Sequence, residues 1–264
     1  MKINALKITL VLIMITGLVF TGCEPPIIAK TAGPVVTRSY DITDFNSVDT
    51  GHAFQVDITA SHTYSIVITT NEEAFEHINV YKMGDILKID PKDLYWQFHN
   101  LNLKAEITMP ELHGLNLSGA SEGTIKGFQS TGDFDLSLSG ASELDMDMGT
   151  GDFVSRISGS SELTGNLTAA STAIDISGDS RVKLAGSGGD IRLIVSGSSD
   201  AGLENFTVND ADIKLSGSSD ASLDVAGRLD AVLSGSSFLE YSGNPTLGQF
   251  DVSGSSSFKR REMK

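Results

Sequence analysis

Hydrophobic and polar residues alternate with a period of two through the second half of the chain. The segments Phe134–Leu138 and Ile191–Val195 are clear cases, with an apolar side chain at every second position. Such alternation indicates a β-strand with one buried face. The alternation stops at a short Gly/Ser-rich stretch and then resumes. The pattern therefore predicts units of at least two short strands that are separated by a repeated corner.

The corner is the motif S-G-x-S, which recurs at nearly constant spacing. Successive copies begin 21, 19, 19, 19, 20, 18 and 19 residues apart. Short strands at a period near 19 predict an all-β fold, a single-stranded parallel β-helix with one unit per coil and coils about 4.8 Å apart. A right-handed coil is favoured because strand crossovers strongly prefer that hand. The copies begin at Ser118, Ser139, Ser158, Ser177, Ser196, Ser216, Ser234 and Ser253.

Glycine occupies the second position and serine the fourth position of every copy. The glycine indicates a backbone with positive φ, or a close approach of the next coil. The fourth-position serine has the parity of the buried strand residues, so we expect an inward-facing ladder of hydroxyls that bind backbone or one another. A row of nucleophilic serines is the alternative, but no histidine follows His113 to act as a base. The ladder consists of Ser121, Ser142, Ser161, Ser180, Ser199, Ser219, Ser237 and Ser256.

The residue after each ladder serine has outward parity and is acidic in five of eight copies. Coil stacking would align these acids in one column, where two charges about 4.8 Å apart repel by about 0.9 kcal/mol in water. Two interpretations stay open. One is a cation- or ligand-binding face, with calcium as a cation that favours several carboxylate oxygens; the other is a solvated acidic face on which Arg181 relieves part of the repulsion. The acids are Glu122, Glu143, Glu162, Asp200 and Asp220.

Residues 1–22 have the composition of a secretory signal. Two lysines precede the apolar run Ile8–Phe20, which is short for a membrane span of about 20 residues. The single cysteine, Cys23, ends the sequence FTGC, which resembles the lipobox of a bacterial lipoprotein. We therefore expect lipidation of Cys23, residues 23–34 as a tether, and a location in the cell envelope on the outer membrane. An ordinary signal followed by an incidental thiol is the alternative.

Residues 35–112 alternate less regularly and are expected to form a β segment that covers the first edge of the solenoid. Asn71–Ile78 predicts a short helix with an asparagine N-cap. The β-helix is assigned to residues 113–257, and the basic tail 258–264 to protection of the last sheet edge. An aromatic cluster in the first segment is either an exposed patch for a glycan or protein ligand or a buried cap. The cluster consists of Tyr95, Trp96 and Phe98.

The charge balance limits the classes of partner. The 264-residue chain has a formal net charge of −15, and removal of residues 1–22 would lower it to −17 because two lysines and no acids are lost. A surface of this charge repels nucleic acid, so we expect no nucleic-acid partner.

Several motifs, taken in order, resemble the head GIN domain family. The similarity spans roughly residues 35–257. That family is described as auto-transporter adhesin heads and also as a domain of unknown function. The resemblance implies a β-helical exported protein, often a lipoprotein of Bacteroidetes-like bacteria, and it brings no catalytic residues. The motifs are Tyr40–Ile42, Phe45–Val48, Phe54–Ile58, Ile107–Leu112 and Leu115–Ala120, with Tyr241–Pro245 similar to the usual end of the family.

The sequence therefore predicts a non-enzymatic, exported, lipid-anchored β-helix protein that acts as an adhesin-like binding module or an envelope scaffold. The expected partners are the membrane, through the lipid, and a glycan or protein ligand. The alternative is a carbohydrate-active β-helix enzyme, such as a polysaccharide lyase or hydrolase. An enzyme of that kind needs acids and bases clustered in a cleft, and short uniform corners leave little room to build one.

Overall fold

The fold is almost entirely β-structure. The computed structural model describes residues 33–92 and 101–261. The first strands are β1 (Val35–Tyr40), β2 (Ser47–Thr50), β3 (Gln55–Ala60), β4 (Ser65–Asn71), β5 (Ile78–Met83), β6 (Ile86–Pro91) and β7 (Leu103–Met109), with a 3₁₀ helix at Glu72–His77. The strands that follow are β8 (Gly114–Leu117), β9 (Glu122–Gln129), β10 (Phe134–Leu138), β11 (Glu143–Ile157), β12 (Glu162–Ile176), β13 (Arg181–Ser187), β14 (Asp190–Val195), β15 (Asp200–Val208), β16 (Ala211–Leu215), β17 (Asp220–Val225), β18 (Arg228–Leu233), β19 (Phe238–Gly243), β20 (Thr246–Val252) and β21 (Ser257–Arg260).

The strands stack as two parallel sheets, one on each side of the repeated corner. The pre-corner sheet contains, in stacking order, β6, β2, β8, β10, the second halves of β11 and β12, β14, β16, β18 and β20. The post-corner sheet contains β7, β3, β9, the first halves of β11 and β12, β13, β15, β17, β19 and β21. This arrangement confirms the all-β parallel solenoid with a repeat of about 19 residues. The hand of the coil stays a prediction.

Alternate side chains of both sheets fill the interior of the rod. Leu138, Ile157, Ile176 and Val195 follow one another in register and are at most 1% exposed. Departures from the 19-residue step are absorbed by bulges. The step of 21 residues, for example, has a register shift at Asp147/Met148, opposite the positive-φ residue Gly127. The stacking register of the interior is therefore kept when the coil length changes.

The coil β2–β3 forms a further corner that the S-G-x-S motif does not mark. β2 lies between β6 and β8, and β3 lies between β7 and β9. This coil therefore comes first along the chain, and later segments stack on both sides of it. The register places His52 over Gly119, and His52 has a φ of 76°, the same as that glycine. Phe54 takes the place of the ladder serine and is fully buried.

The first end of the rod is closed by antiparallel structure. β1 pairs with β4, β4 pairs with β7, and β5 pairs with β6. The 3₁₀ helix buries Phe75, and the guanidinium of Arg38 lies 4.2 Å from the centre of that ring. Asn71 occupies the N-cap position, as predicted, but its side chain forms no capping bond. Its side-chain amide instead donates to the carbonyl of Gly33 and accepts from the backbone of Asn102, at 3.0 Å each.

The corner glycines form the most regular feature of the rod. In the eight S-G-x-S corners their φ angles lie between 71° and 86°, a conformation that only glycine adopts without strain. In seven of these corners the residue after the glycine donates its N–H to the carbonyl of the glycine one coil earlier, and in the first corner Ala120 donates to the carbonyl of His52. Asp179, for example, donates to Gly159 at 2.8 Å, and Ser198 donates to Gly178 at the same distance. A continuous line of hydrogen bonds thus runs along the corner from coil to coil.

The fourth-position serines form a second line beside the glycines. Seven of the eight are at most 2% exposed, and Ser256, in the last coil, is half-buried. The hydroxyl of Ser161 donates to the carbonyl of Ser158 at 2.9 Å and accepts from the backbone N–H of Ser142 at 3.3 Å. Ser180 repeats both contacts one coil later. Each of these two hydroxyls therefore forms one hydrogen bond within its own corner and one with the backbone of the preceding corner.

Replacement of a corner glycine should lower the free energy of unfolding for two reasons, a steric clash with the preceding coil and a strained φ angle. In Gly178→Ala the new Cβ would lie less than 3.0 Å from the carbonyl oxygen of Gly159, and the φ of 86° would be strained. Gly84→Ala is the matched control, because Gly84 has a φ of 61° and no atom within 4 Å of the added Cβ. We expect chemical denaturation to show a loss of about 1 kcal/mol for Gly84→Ala and at least about 3 kcal/mol for Gly178→Ala. Equal losses would contradict the close approach of the coils.

Removal of one ladder hydroxyl should also destabilise the rod. Ser161→Ala leaves the buried N–H of Ser142 and the carbonyl of Ser158 without this partner, which costs about 1–3 kcal/mol. Ser171→Ala is the control, since its hydroxyl is solvent-accessible and binds only Asp152. Urea unfolding measures the difference. A Ser161→Ala rod as stable as Ser171→Ala would show that the ladder bonds contribute nothing.

Candidate functional site

The structure brings the five predicted acids into one outward-facing column of the post-corner sheet. The strand registers align Gln55, Glu122, Glu143, Glu162, Arg181, Asp200, Asp220, Phe238 and Ser257, in that order. Arg181 divides the acids into a group of three glutamates and a group of two aspartates. Its Nε atom lies 3.8 Å from an oxygen of Asp200.

A second polar column lies beside the glutamates on the same sheet. Thr124 donates to Asp57 at 2.8 Å, and Thr164 donates to Asp145 at 3.3 Å. The space between the two columns is a shallow groove of about 270 Å³. Because threonine hydroxyls bind the aspartates of the second column, those carboxylates are held in fixed positions along the groove. We call this surface the acidic groove; it is lined by Gln55, Glu122, Gly123, Thr124, Glu143, Leu144, Asp145, Glu162 and Thr164.

Some acids of the rod are paired with cations. Asp57 lies 3.3 Å from the ammonium of Lys104, Asp230 accepts from Arg228 at 2.8 Å, and Asp49 forms an ion pair with Lys88. Within residues 33–92 and 101–261, by contrast, Glu122, Glu143 and Glu162 form no salt bridge. The groove therefore carries negative charge that this part of the chain does not neutralise.

Asp200, in the aspartate group of the column, has a pKa that is shifted mainly by burial. Burial raises the pKa of Asp200 above the ordinary aspartate value of 3.8. The guanidinium of Arg181 lowers this pKa, while the carboxylates of Asp220 and Glu204 raise it again. The net upward direction means that the folded chain disfavours the charged form of Asp200.

Some of the predicted site residues lie outside the described part of the chain. These are the signal residues 1–22, Cys23 and the aromatic cluster Tyr95, Trp96 and Phe98. In the described ranges, no group of three or more His, Cys, Asp or Glu side chains is arranged to hold a metal ion. Those ranges also contain no helix long and apolar enough to cross a membrane.

A second groove, of about 380 Å³, lies on the pre-corner sheet and was missed by the sequence analysis. Gly114 stands between Ser47 and Asp135 in the register, so its missing side chain opens the surface there. Asn116, which donates to Asp49 at 2.8 Å, and Arg156 line the same groove. These residues come from four different coils and share no motif, so only the stacking brings them together.

Crystal structures of similar fold come from Parabacteroides and Bacteroides species. A protein from Parabacteroides distasonis titled "Putative lipid binding protein" matches with a TM-score of 0.77 and 18% identity, over 88% of this chain and 100% of that chain. A "putative adhesin" from the same organism matches with a TM-score of 0.77 and 16% identity, over 87% of this chain and 99% of that chain. A "putative adhesin" from Bacteroides fragilis matches with a TM-score of 0.64 and 20% identity, over 88% of this chain and 100% of that chain. At these identities the likeness establishes the fold. No curated protein matches the sequence.

One protein family matches most of the rod in sequence. Its match covers residues 44–245, from the loop before β2 to the turn after β19. This range includes the coil β2–β3 and seven of the eight S-G-x-S corners. The chain belongs to the family described as "Putative auto-transporter adhesin, head GIN domain".

Proposed function

We propose that this protein is a non-enzymatic binding module of the cell envelope, adhesin-like, exported and held to the outer membrane by a lipid on Cys23. Membership of an adhesin-head family supports the general role. The sequence FTGC after an apolar run supports the anchor. On this proposal the rod stands off the membrane on the tether 23–34 and presents its side walls to a partner.

The acidic groove is the face that we propose for binding. The observation that carries this choice is the row of three stacked glutamates without a cationic partner in the described residues, beside aspartates held by threonines. Neighbouring glutamates repel by about 0.9 kcal/mol in water. A positively charged segment of a protein or glycan partner relieves that repulsion as it binds, so the groove favours basic ligands.

The shape of the groove favours binding over catalysis. A glycosidase places two carboxylates on opposite sides of the scissile bond, with a raised pKa on the acid. Here the glutamates stand in line on one flat sheet, and each is exposed or half-exposed. A long ligand can lie across such a row, but no pair of these acids faces another across a substrate.

The test is binding of the chain from residue 24 to an immobilised Lys/Arg-rich peptide of about ten residues, and to a glycan and protein array. The triple variant Glu122→Gln, Glu143→Gln, Glu162→Gln should bind at least about tenfold more weakly, since each exposed contact contributes up to about 1 kcal/mol. The control triple Asp135→Asn, Asp175→Asn, Asp212→Asn removes the same charge from the pre-corner sheet and should bind like the parent.

Two results would contradict this assignment. Equal weakening in both triple variants would mean that binding follows net charge alone. Loss of binding in Trp96→Ala, with the glutamate triple unaffected, would place the site in the aromatic cluster instead.

The burial of Asp200 should appear as a pH-dependent stability effect. Because its folded-state pKa is raised, Asp200 contributes stability below pH 3.8, and this contribution is lost as the pH rises through the folded pKa. Asp200→Asn should therefore be more stable than the parent at pH 7, by less than about 1 kcal/mol for so exposed a group. The difference should shrink as the pH falls toward 3.8. Urea unfolding at pH 7 and pH 4 measures it, and a destabilised variant at pH 7 would show that the Arg181 ion pair outweighs the cost.

A further inference from the structure

The last coil of the rod leaves interior side chains uncovered. Leu247, Val252 and Phe258 are 49%, 44% and 39% exposed. The register places them over Leu229, Leu233 and Leu239, which are each fully buried. The ring of Phe250 lies 4.7 Å from that of Phe258, centre to centre. These residues occupy interior positions of the repeat, and they are exposed because no further coil stacks on them among the described residues.

The same coil ends both sheets with a free strand edge. In the described part of the chain, β20 pairs only with β18, and β21 pairs only with β19. The outer N–H and C=O groups of both strands are therefore available to another strand. An exposed edge flanked by apolar side chains favours pairing with another chain.

We propose that this end binds the same end of a second copy, so that two rods join tail to tail. Inside the rod each coil packs its apolar set on a like set, as Leu229 does on Leu247. The surface that fits the last coil is therefore another coil end of the same cross-section, and every copy carries one. Contact between identical ends closes as a two-fold dimer.

The opposite end of the rod is built differently. There the interior side chains Leu87, Ile89, Ala105 and Ile107 are at most 1% exposed. The antiparallel strands β1 and β5 and the 3₁₀ helix lie over that end. β1 and β5 are edge strands too, but among the described residues that end presents no open coil whose apolar set matches the last coil. The surface that matches the last coil is therefore the last coil of another copy.

The basic residues near the end lie toward the preceding coil. Lys259 lies 2.9 Å from Glu240, and Arg261 binds the same carboxylate. The two cations lower the pKa of Glu240, Lys259 more than Arg261, so the carboxylate stays charged and offsets one of their two positive charges. Arg260 donates to the carbonyl of Gly243 at 2.6 Å. The described part of the basic tail, residues 258–261, thus directs its cations toward the preceding coil, and the apolar side chains of the last coil stay exposed.

Tail-to-tail pairing would fix the distance and direction between the two anchored ends of a dimer. Ten stacked coils span about 43 Å, so the two Gly33 residues of a dimer would lie roughly 90 Å apart, at opposite ends. If Cys23 is lipidated as proposed above, the two anchors point away from each other. The partner on a facing membrane is then a second copy of this chain.

Sedimentation equilibrium of the chain from residue 24 tests the dimer. One coil end buries less than the standard interface of about 800 Å² per partner, so we expect dissociation in the range of about 10–100 μM. Val252→Glu and Phe258→Glu should each weaken the dimer at least tenfold and lower the melting temperature only slightly, because both side chains are already partly exposed. Small-angle scattering should give a particle about twice the length of the rod.

Met83→Glu, at the closed end, is the control, with a side chain that is 53% exposed. It should dimerise like the parent. The proposal is overturned if the parent protein stays monomeric at 300 μM. It is also overturned if Val252→Glu still forms the dimer, or if the dimer is only as long as a single rod. Binding of the monomer to phosphatidylglycerol vesicles, lost in Phe258→Glu, would make the end a lipid contact instead. None of these outcomes depends on the acidic groove, whose test uses different variants and a different probe.

Discussion

The hydrogen bond from each corner to the glycine carbonyl one coil earlier is the constraint on which the rod depends. In the eight S-G-x-S corners that bond goes with a positive φ at the glycine and leaves no room for a Cβ atom, so the motif recurs in each of them. Once the corners stack, both strands that leave them are held in register. The side-chain columns on the outer faces, including the acidic groove, are consequences of that register rather than independently built features.

The distribution of charge follows from the same stacking, but it is not uniform. In a column each residue has two fixed neighbours about 4.8 Å away, so a charge is either paired or repelled by the residue above it. Asp49 with Lys88 and Glu240 with Lys259 are paired across coils. The run from Glu122 to Glu162 forms no such pair in the described residues, and its three like charges are stacked in one column.

The repeat length, the position of each corner and the inward or outward direction of each side chain could be predicted from the sequence, because each depends only on neighbouring residues. The position of Ser142 relative to Gly140 fixes that its hydroxyl points inward, whatever the rest of the chain does. The coil β2–β3 could not be read, because His52 adopts the glycine conformation and Phe54 replaces the serine. Its place between two later coils is a long-range pairing with no local signal. The groove around Gly114 was missed for the same reason, since its lining is assembled from separate coils.

Each coil of a stacked repeat can accept a further coil, so the structures at the two ends need an explanation that the repeat itself does not supply. At the first end the chain departs from the repeat and covers the interior with antiparallel strands and the 3₁₀ helix. At the last end it keeps the repeat through Phe258 and then bends its cations toward Glu240 instead of across the apolar surface. A closed end beside the tether and an open end far from it suit a rod that is fixed at one end and makes contact at the other.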